Sequence, residues 1–241
     1  MTIKAWQGPS TIDGQDIMAV VSCEKRASNN DKTGDMVQVG FMRTDMKPSA
    51  AVKEGKDRSI CGDCPLRAQV RKDTGNGEAP CYVNTMWKAS TWKAATALKE
   101  DIDAAVKAMK RKPVRCGEYG NMSSIPREVA EELLMAASKG WTLYDHEWRK
   151  ADNQWLRSWA MASVHSMAEA LEAQARGWRT FRVRGPDDPL MDNEIQCPHR
   201  TCGVQCRDCL LCDGKRMTTI HGNLGTVLRP DMRKNISEIA H

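Results

Sequence analysis

The chain has 241 residues, enough for one α/β domain or two small ones, and its 36 Lys and Arg against 31 Asp and Glu give a formal charge of +5. That excess is mild and spread out, so it permits contact with nucleic acid without arguing for it. Ten cysteines would suit a disulfide scaffold in a short secreted chain, but Met1-Thr-Ile-Lys-Ala-Trp-Gln7 has no leader pattern and no apolar run could span a bilayer. Clustered thiols then favour metal over disulfides, in a cytoplasmic protein with no membrane partner.

Residues 1–35 read as a loose lead-in punctuated by Gly8-Pro9, Asn29-Asn30 and Gly34. One apolar run in it, Ile17 to Cys23, is either a strand or the start of a helix. Met36 to Met42, rich in β-branched residues and flanked by turn residues, predicts a buried strand. Pro48 to Lys53 predicts a short helix stopped at Gly55.

Next comes Cys61-Gly-Asp-Cys64-Pro-Leu-Arg67, a polar loop with Gly75 and Gly77, and Pro80-Cys81-Tyr82. A loop this polar is no core element; its purpose is to bring Cys81 back to Cys61 and Cys64. Three thiolates on a [4Fe–4S] cluster leave one iron open to a substrate or cofactor, whereas a fourth ligand from Cys23 or Cys116 would close the site.

Met86 to Lys112 has one continuous helical pattern, through Trp87, Ala94, Leu98, Ile102, Val106 and Met109, and Pro113 stops it. The basic run Lys107 to Arg115 reads as a solvated helix end rather than a phosphate track. Strands and helices then alternate: a strand and its tip over Val114–Gly120, helix Arg127–Ser138, strand and loop Trp141–Trp148, strand Ser158–Val164, helix Ser166–Ala175, strand Trp178–Val183, and a last strand Ile236–Ala240. That rhythm predicts a parallel sheet with right-handed crossovers. The expectation is a single α/β domain over 1–241, a complete or partial TIM-like parallel barrel with cysteine-rich metal-binding insertions at 61–81 and 197–212. An open, doubly wound parallel sheet is the alternative.

In parallel α/β folds the working residues sit at the carboxyl ends of strands. Three tips qualify: Glu118-Tyr119, Asp145-His146-Glu147-Trp148, and Ser163 with His165. His146, flanked by two carboxylates that could orient and charge it, is the first choice for proton transfer, with Glu147 and Glu118 beside it; its alternative fate is a hydrogen bond to a neighbouring loop. His165 and His221 are weaker choices. Arg179, Arg182 and Arg184 point to a barrel mouth or into water. Eight Trp against two Phe suggest indoles lining a polar cavity or interface, because each carries an N–H in need of a partner.

The densest signal is Cys197-Pro-His-Arg-Thr-Cys-Gly-Val-Gln-Cys206-Arg-Asp-Cys209-Leu-Leu-Cys212. A thiolate every third residue plus a remote Cys-Pro is the ligand logic of a [4Fe–4S] cubane, formed here by Cys197, Cys206, Cys209 and Cys212 with Cys202 as an extra thiol. Zinc, which takes two separate two-cysteine knuckles, is the alternative metal.

Together, Lys32-Thr-Gly-Asp-Met-Val-Gln-Val39, Cys61-Gly-Asp-Cys-Pro-Leu-Arg67, Cys81-Tyr-Val-Asn84, Met161-Ala-Ser-Val164, Gly177-Trp-Arg-Thr-Phe-Arg-Val183 and the closing cysteine run resemble a family of bacteriophage- and plasmid-encoded cysteine-cluster proteins. The resemblance covers most of residues 32–214 and implies a context, the host-cell cytoplasm, more than a mechanism. This chain departs from the family pattern in a shorter loop between Cys197 and Cys206, the added Cys202, Cys116 in place of an apolar residue, and His165 where an acid is usual. A looser similarity is to radical S-adenosylmethionine enzymes, partial α/β barrels with a three-cysteine cluster at the mouth. Cys61, Cys64 and Cys81 lack the common C-x3-C-x2-C spacing, so S-adenosylmethionine enters by fold-level analogy alone.

Two functions compete. One is an iron–sulfur redox or radical-type enzyme with one or two clusters. The other is a non-catalytic iron–sulfur or zinc protein that binds nucleic acid or a host protein.

Overall fold

The computed structural model describes residues 1–22, 30–73, 81, 83–214 and 235–239, so Cys23, Tyr82 and His221 lie outside the described residues. The lead-in is not loose. β1 (Ile3–Pro9) and β2 (Asp16–Ser22) form an antiparallel hairpin, and β2 pairs antiparallel with β3 (Val37–Arg43). Gly8-Pro9 closes β1 rather than interrupting the chain, and a proline is tolerated there because β1 is an edge strand with one side of its ladder unpaired.

Six further strands follow: β4 (Val114–Cys116), β5 (Trp141–Asp145), β6 (Met161–Val164), β7 (Thr180–Arg184), β8 (Glu194–Gln196) and β9 (Asn235–Ile239). All nine form one sheet in the order β1-β2-β3-β4-β5-β6-β7-β9-β8, parallel from β3 onward. The fold is therefore mixed α/β with a mostly parallel sheet. A complete barrel is not formed, because β1 and β8 end the sheet without meeting. Nor is the sheet doubly wound about a central strand, since the order advances one way from β1 to β7 and turns back only at its far edge.

The helices are α1 (Pro48–Lys53), α2 (Arg58–Cys61), α3 (Ala68–Asp73), α4 (Thr85–Thr96), α5 (Ile102–Met109), α6 (Arg127–Ala136), α7 (Met167–Ala175), α8 (Pro198–Cys202) and α9 (Cys206–Cys209). The single long helix expected over 86–112 is two. Asp101 caps α5 by accepting the Ala104 N–H at 2.8 Å, and a side chain that satisfies a helix start makes a break cheap. Leu98, in phase with the continuous pattern, is left exposed in the break. Lys107, Lys110 and Arg111 sit exposed at the end of α5 as expected.

Register sorts the parallel strands into two faces. Val39, Cys116 and Leu143 are paired neighbours and lie on one face, with Ala162, Thr180 and Arg182 following across β6 and β7. That face belongs to the main core, where Val39, Cys116, Leu143, Ala162 and Val164 pack with Leu133 and Leu134 of α6 and Ala170 of α7. Burying each such leucine contributes about 1.5–3 kcal/mol. Arg115, Thr142, Tyr144, Met161, Ser163, Phe181 and Val183 alternate with these and occupy the other face. A smaller core there joins Met161, Phe181 and Ile236 to Cys197 and Cys212.

The arginines in and just before β7 go neither to a mouth nor to water. Arg182 is 2% exposed and holds Glu194 of β8 through two bonds at 2.9 and 2.6 Å. Arg184 reaches Gln196 and the Asp188 carbonyl, and Arg179 binds Asp213 and the Gly214 carbonyl. The indoles differ from expectation too. Trp92, Trp141, Trp148 and Trp178 donate to Arg43 O, Trp159 O, Ser163 O and Gln154 Oε1. Their N–H groups are satisfied by packing partners, not by a polar cavity.

Candidate metal centre

The connection from β3 to β4 carries the first cysteine segment, folded on itself. Arg67 donates to Asp57 Oδ1 (2.7 Å), to Gly62 O (3.2 Å) and to Gly55 O (2.6 Å), so one buried guanidinium pins both ends of the turn. Asn121, past the tip of β4, donates its side-chain amide to Cys61 O at 2.9 Å and its backbone N–H to Ile60 O at 2.7 Å. Glu147, past β5, accepts the Asp63 N–H at 2.6 Å and is paired with Lys150. Gly62 adopts φ +58°, and a Cβ there would stand 2.0 Å from Glu147 Oε1, so the close approach of this carboxylate requires glycine.

This turn sets Cys61 and Cys64 into a cavity of about 80 Å³ with Cys81, Glu118, Tyr119, Asn121 and His146, floored by Arg115, Tyr144, Ser163, Phe181 and Val183 of the sheet. Where one water needs roughly 10–15 Å³, this space takes several atoms. The floor residues come from β4 to β7 and the remaining polar groups from just past their carboxyl ends, where the sequence placed the chemistry. Burial pushes the thiols up, Cys64 to about 12, and Cys61 and Cys81 in the same direction, so without a bound cation they stay protonated. Cys116 is no fourth ligand of this cavity. It sits on the opposite face of β4, inside the main core, and burial alone pushes it to about 12. Turning it to the cavity would need a register slip that inverts the strand.

The proton-transfer candidates separate. His146 lines the cavity, but the carboxylates beside it in sequence do not charge it. Asp145 turns to the opposite face, accepts from Ser123 N, Ser123 Oγ and Glu147 N, and is pushed up to about 6 by burial. Glu147 secures the cysteine turn and does not line the cavity. Burial, with His165 stacked at 5.8 Å, lowers His146 to about 3, so the ring is neutral. Since Asn121 spends its amide N–H on Cys61, its oxygen must accept from His146 Nδ1 at 3.1 Å, which leaves Nε2 a buried lone pair without a partner among the described residues. The Tyr119 hydroxyl is likewise buried and unpartnered, and burial holds it protonated. Glu118 is paired with Lys88 of α4. The cavity thus offers three thiols, one O–H donor, one nitrogen acceptor and one carboxylate. His165, also neutral through burial, stands behind His146 and does not line the cavity.

The second cysteine segment runs between β8 and β9 and lies against the same sheet face. Cys197, Cys206, Cys209 and Cys212 line a tight space of about 10 Å³ with Thr142 and Tyr144 of β5. Distant chain holds it: Cys197 N donates to Ser237 O, Cys206 N to Lys32 O, Arg207 N to Thr33 O, and Leu143 N to Cys212 O. Glu238 of β9 gathers Lys32 at 2.5 Å and Arg200 at 2.6 Å beside Cys197. Burial pushes Cys197 to about 11 and raises Cys206, Cys209 and, most strongly, Cys212. Cys202 is exposed and outside this space, its sulfur on Pro198 O. Sequence reasoning gave no role to Arg67 and Lys32, although both stand in quoted motifs, and missed Asn121, Tyr144 and Glu238, none of which belongs to a spacing motif. Only strand parity singles out Tyr144.

Among the described residues no group of three or more His, Cys, Asp or Glu side chains is placed to hold a metal ion. A tetrahedral zinc at about 2.3 Å from each sulfur needs sulfurs about 3.8 Å apart, a convergence on a point that neither segment makes. No helix among the described residues is long and apolar enough to cross a membrane. No family model, curated protein or solved structure matches the chain.

Proposed function

We propose that the chain is a phage-type iron–sulfur protein working as a redox or radical-type enzyme, with one or two [4Fe–4S] clusters on one face of a partial-barrel sheet. Cys61, Cys64 and Cys81 would hold a cluster with one iron open to the cavity; Cys197, Cys206, Cys209 and Cys212 are the ligand set for a second, whose space of about 10 Å³ would have to widen to take it. One observation carries this reading: three thiols line a cavity of about 80 Å³ together with two buried polar groups that have no partner among the described residues, Tyr119 Oη and His146 Nε2. Unpaired buried polar atoms are costly, and a ligand seated there would satisfy them. A cluster with an open iron supplies one-electron chemistry and a coordination position for a small molecule, S-adenosylmethionine being one candidate. The chain's own groups bind and orient. Tyr119 donates a hydrogen bond into the cavity, His146 accepts one, and the Glu118–Lys88 pair bounds it. At neutral pH His146 serves as an acceptor rather than a proton donor.

Protein purified without oxygen is expected to be brown and to carry iron with matching sulfide, about four of each per cluster. Electron paramagnetic resonance of the reduced protein should change on adding S-adenosylmethionine or another small ligand of the open iron. Stoichiometric zinc in a colourless, folded sample made with iron in excess overturns the reading.

A further inference from the structure

The wall of the first cavity carries hydrogen-bonding groups that the rest of the described chain does not use. Tyr119 is 3% exposed, yet its hydroxyl has no partner among the described residues. It does not stand on a loose loop. Glu118 N donates to Val39 O at 2.9 Å and Phe41 N to Tyr119 O at 2.8 Å, so β3 grips the backbone on both sides of the side chain. His146 Nε2 is buried and without a partner among the described residues as well, while Nδ1 is fixed on Asn121 Oδ1 at 3.1 Å. The hydroxyl can donate; the nitrogen, with the ring proton on Nδ1, can only accept.

Charge is the third feature. Arg115 lines the same cavity, on the face of β4 opposite to Cys116. Glu118, the one carboxylate on the wall among the described residues, is already paired with Lys88. Arg115 has neither an ion pair nor a hydrogen bond among the described residues. A cation without a counter-ion, set beside a donor and an acceptor, calls for an anion that itself carries a donor. A hydroxyl supplies that donor, whereas an ammonium would meet Arg115 with like charge and find no carboxylate to spare. Size sets the rest: at roughly 10–15 Å³ for each water-sized atom, the 80 Å³ seats about six.

We propose that this cavity binds a small 2-hydroxycarboxylate, its carboxylate held by Arg115 and Tyr119 Oη and its hydroxyl donating to His146 Nε2. The inference rests on the same cavity as the reading above but on none of its iron, since every group it uses belongs to the chain.

Lactate is the probe, titrated by calorimetry into the full-length protein kept reduced, with iron assayed in the same sample. Lactate should bind. Propionate, which lacks the hydroxyl, and lactamide, which lacks the charge, should each bind about tenfold more weakly, because each leaves a buried group unpaired. Three variants divide the contacts. His146→Phe should bring lactate down to the propionate level and leave propionate unchanged. Tyr119→Phe should weaken lactate and propionate alike by about tenfold. Arg115→Gln should weaken both anions and leave lactamide unchanged. Each pairing of ligand with variant is a double-mutant cycle, and a side chain that only supports the fold would not reproduce the pattern. The inference fails if lactate does not bind folded protein at millimolar concentration, or binds no better than propionate and lactamide; neither outcome needs a variant. It fails too if each variant shifts all three ligands equally. Iron answers the other question separately: an iron-free protein that discriminates lactate in this way overturns the cluster reading and keeps this one, and an iron-loaded protein that does not discriminate overturns this one alone.

Discussion

The two cysteine segments solve one problem in opposite ways. The first is held mainly by chain close to it: Arg67 closes on Asp57, Gly55 and Gly62 within a dozen residues, with Asn121 and Glu147 added from strand tips. The second is held from afar, by Lys32 and Thr33 on one side and Ser237 and Glu238 on the other. A local knuckle forms with little loop-closure entropy and leaves room beside it, about 80 Å³ against about 10 Å³. A segment assembled from distant strands closes tightly and ties the sheet's late strands to its early ones. That contrast leaves room for a further group beside the first segment and none beside the second.

The largest effects should come from the buried ion pair at each site. Arg67→Ala leaves Asp57 buried without its partner, and Glu194→Ala does the same to Arg182; each should cost about 3–5 kcal/mol in denaturant unfolding. The consequences should differ in reach. Arg67→Ala is expected to speed alkylation of Cys64 while Cys212 stays protected, whereas Glu194→Ala, which unties β8, should expose Cys197 and Cys212 together. Equal exposure of both sites in both variants would break the contrast.

Glycine substitutions sharpen it further. Gly62→Ala and Gly214→Ala each place a Cβ at positive φ, costing about 1–3 kcal/mol. At Gly214 the Cβ meets backbone, Trp159 C and Ala160 N at 2.6 Å, while at Gly62 it meets a side-chain oxygen at 2.0 Å. Backbone yields less than a carboxylate does, so Gly214→Ala should be the more destabilising in thermal melts; the reverse order would mean Glu147 is the more rigid wall.

Acid should find the first site before the second. His146 has its folded pKa lowered from 6.5 to about 3, so its contribution is fully present above 6.5 and is lost as the pH falls towards 3. Its slope at the steepest is about 1.4 kcal/mol per pH unit. Asp145, raised from 3.8 to about 6 by burial, contributes in the opposite sense, stabilising below 3.8 and losing that stability as the pH rises through 6. Glu238, lowered from 4.5 beside Lys32 and Arg200, contributes above 4.5 and is lost only in stronger acid. Unfolding free energy measured from pH 7 to 5 should fall less in His146→Gln than in the wild type; identical profiles would remove His146 as the cause. The smallest effect is expected at the half-exposed Lys32–Glu238 pair, where Lys32→Ala should cost about 0.2–1 kcal/mol and less in high salt.

Much of the site was legible before the fold. Cys61, Cys64 and Cys81 were placed together with Glu118 and His146 from spacing and strand tips, and the structure gathers those five around one cavity. Glu147 was legible as a neighbour but not in its role, because backbone direction at the end of β5 sends it to Asp63 N rather than to the cavity. Cys116 illustrates the limit. Its nearness in sequence to Glu118 made it a candidate fourth ligand, and only the parity of β4 sends it to the other face. The hairpin of β1 and β2 was hidden because a Gly-Pro pair reads as loop whether it breaks a strand or merely ends one.

The sequence by itself determined what is local: thiol spacing, the alternation of strands and helices, the turn glycines, and the stops at Pro113 and Gly140. Those follow from short-range sterics and ligand geometry, which act over a few residues and leave a pattern in the chain. Tertiary structure alone decided that the sheet stays open, that Arg182 serves Glu194 instead of a mouth, and that His146 is neutral. It alone also decided that Tyr144 stands between the two cysteine sites. Burial and register are properties of strands meeting across long stretches of chain, so no window of sequence contains them.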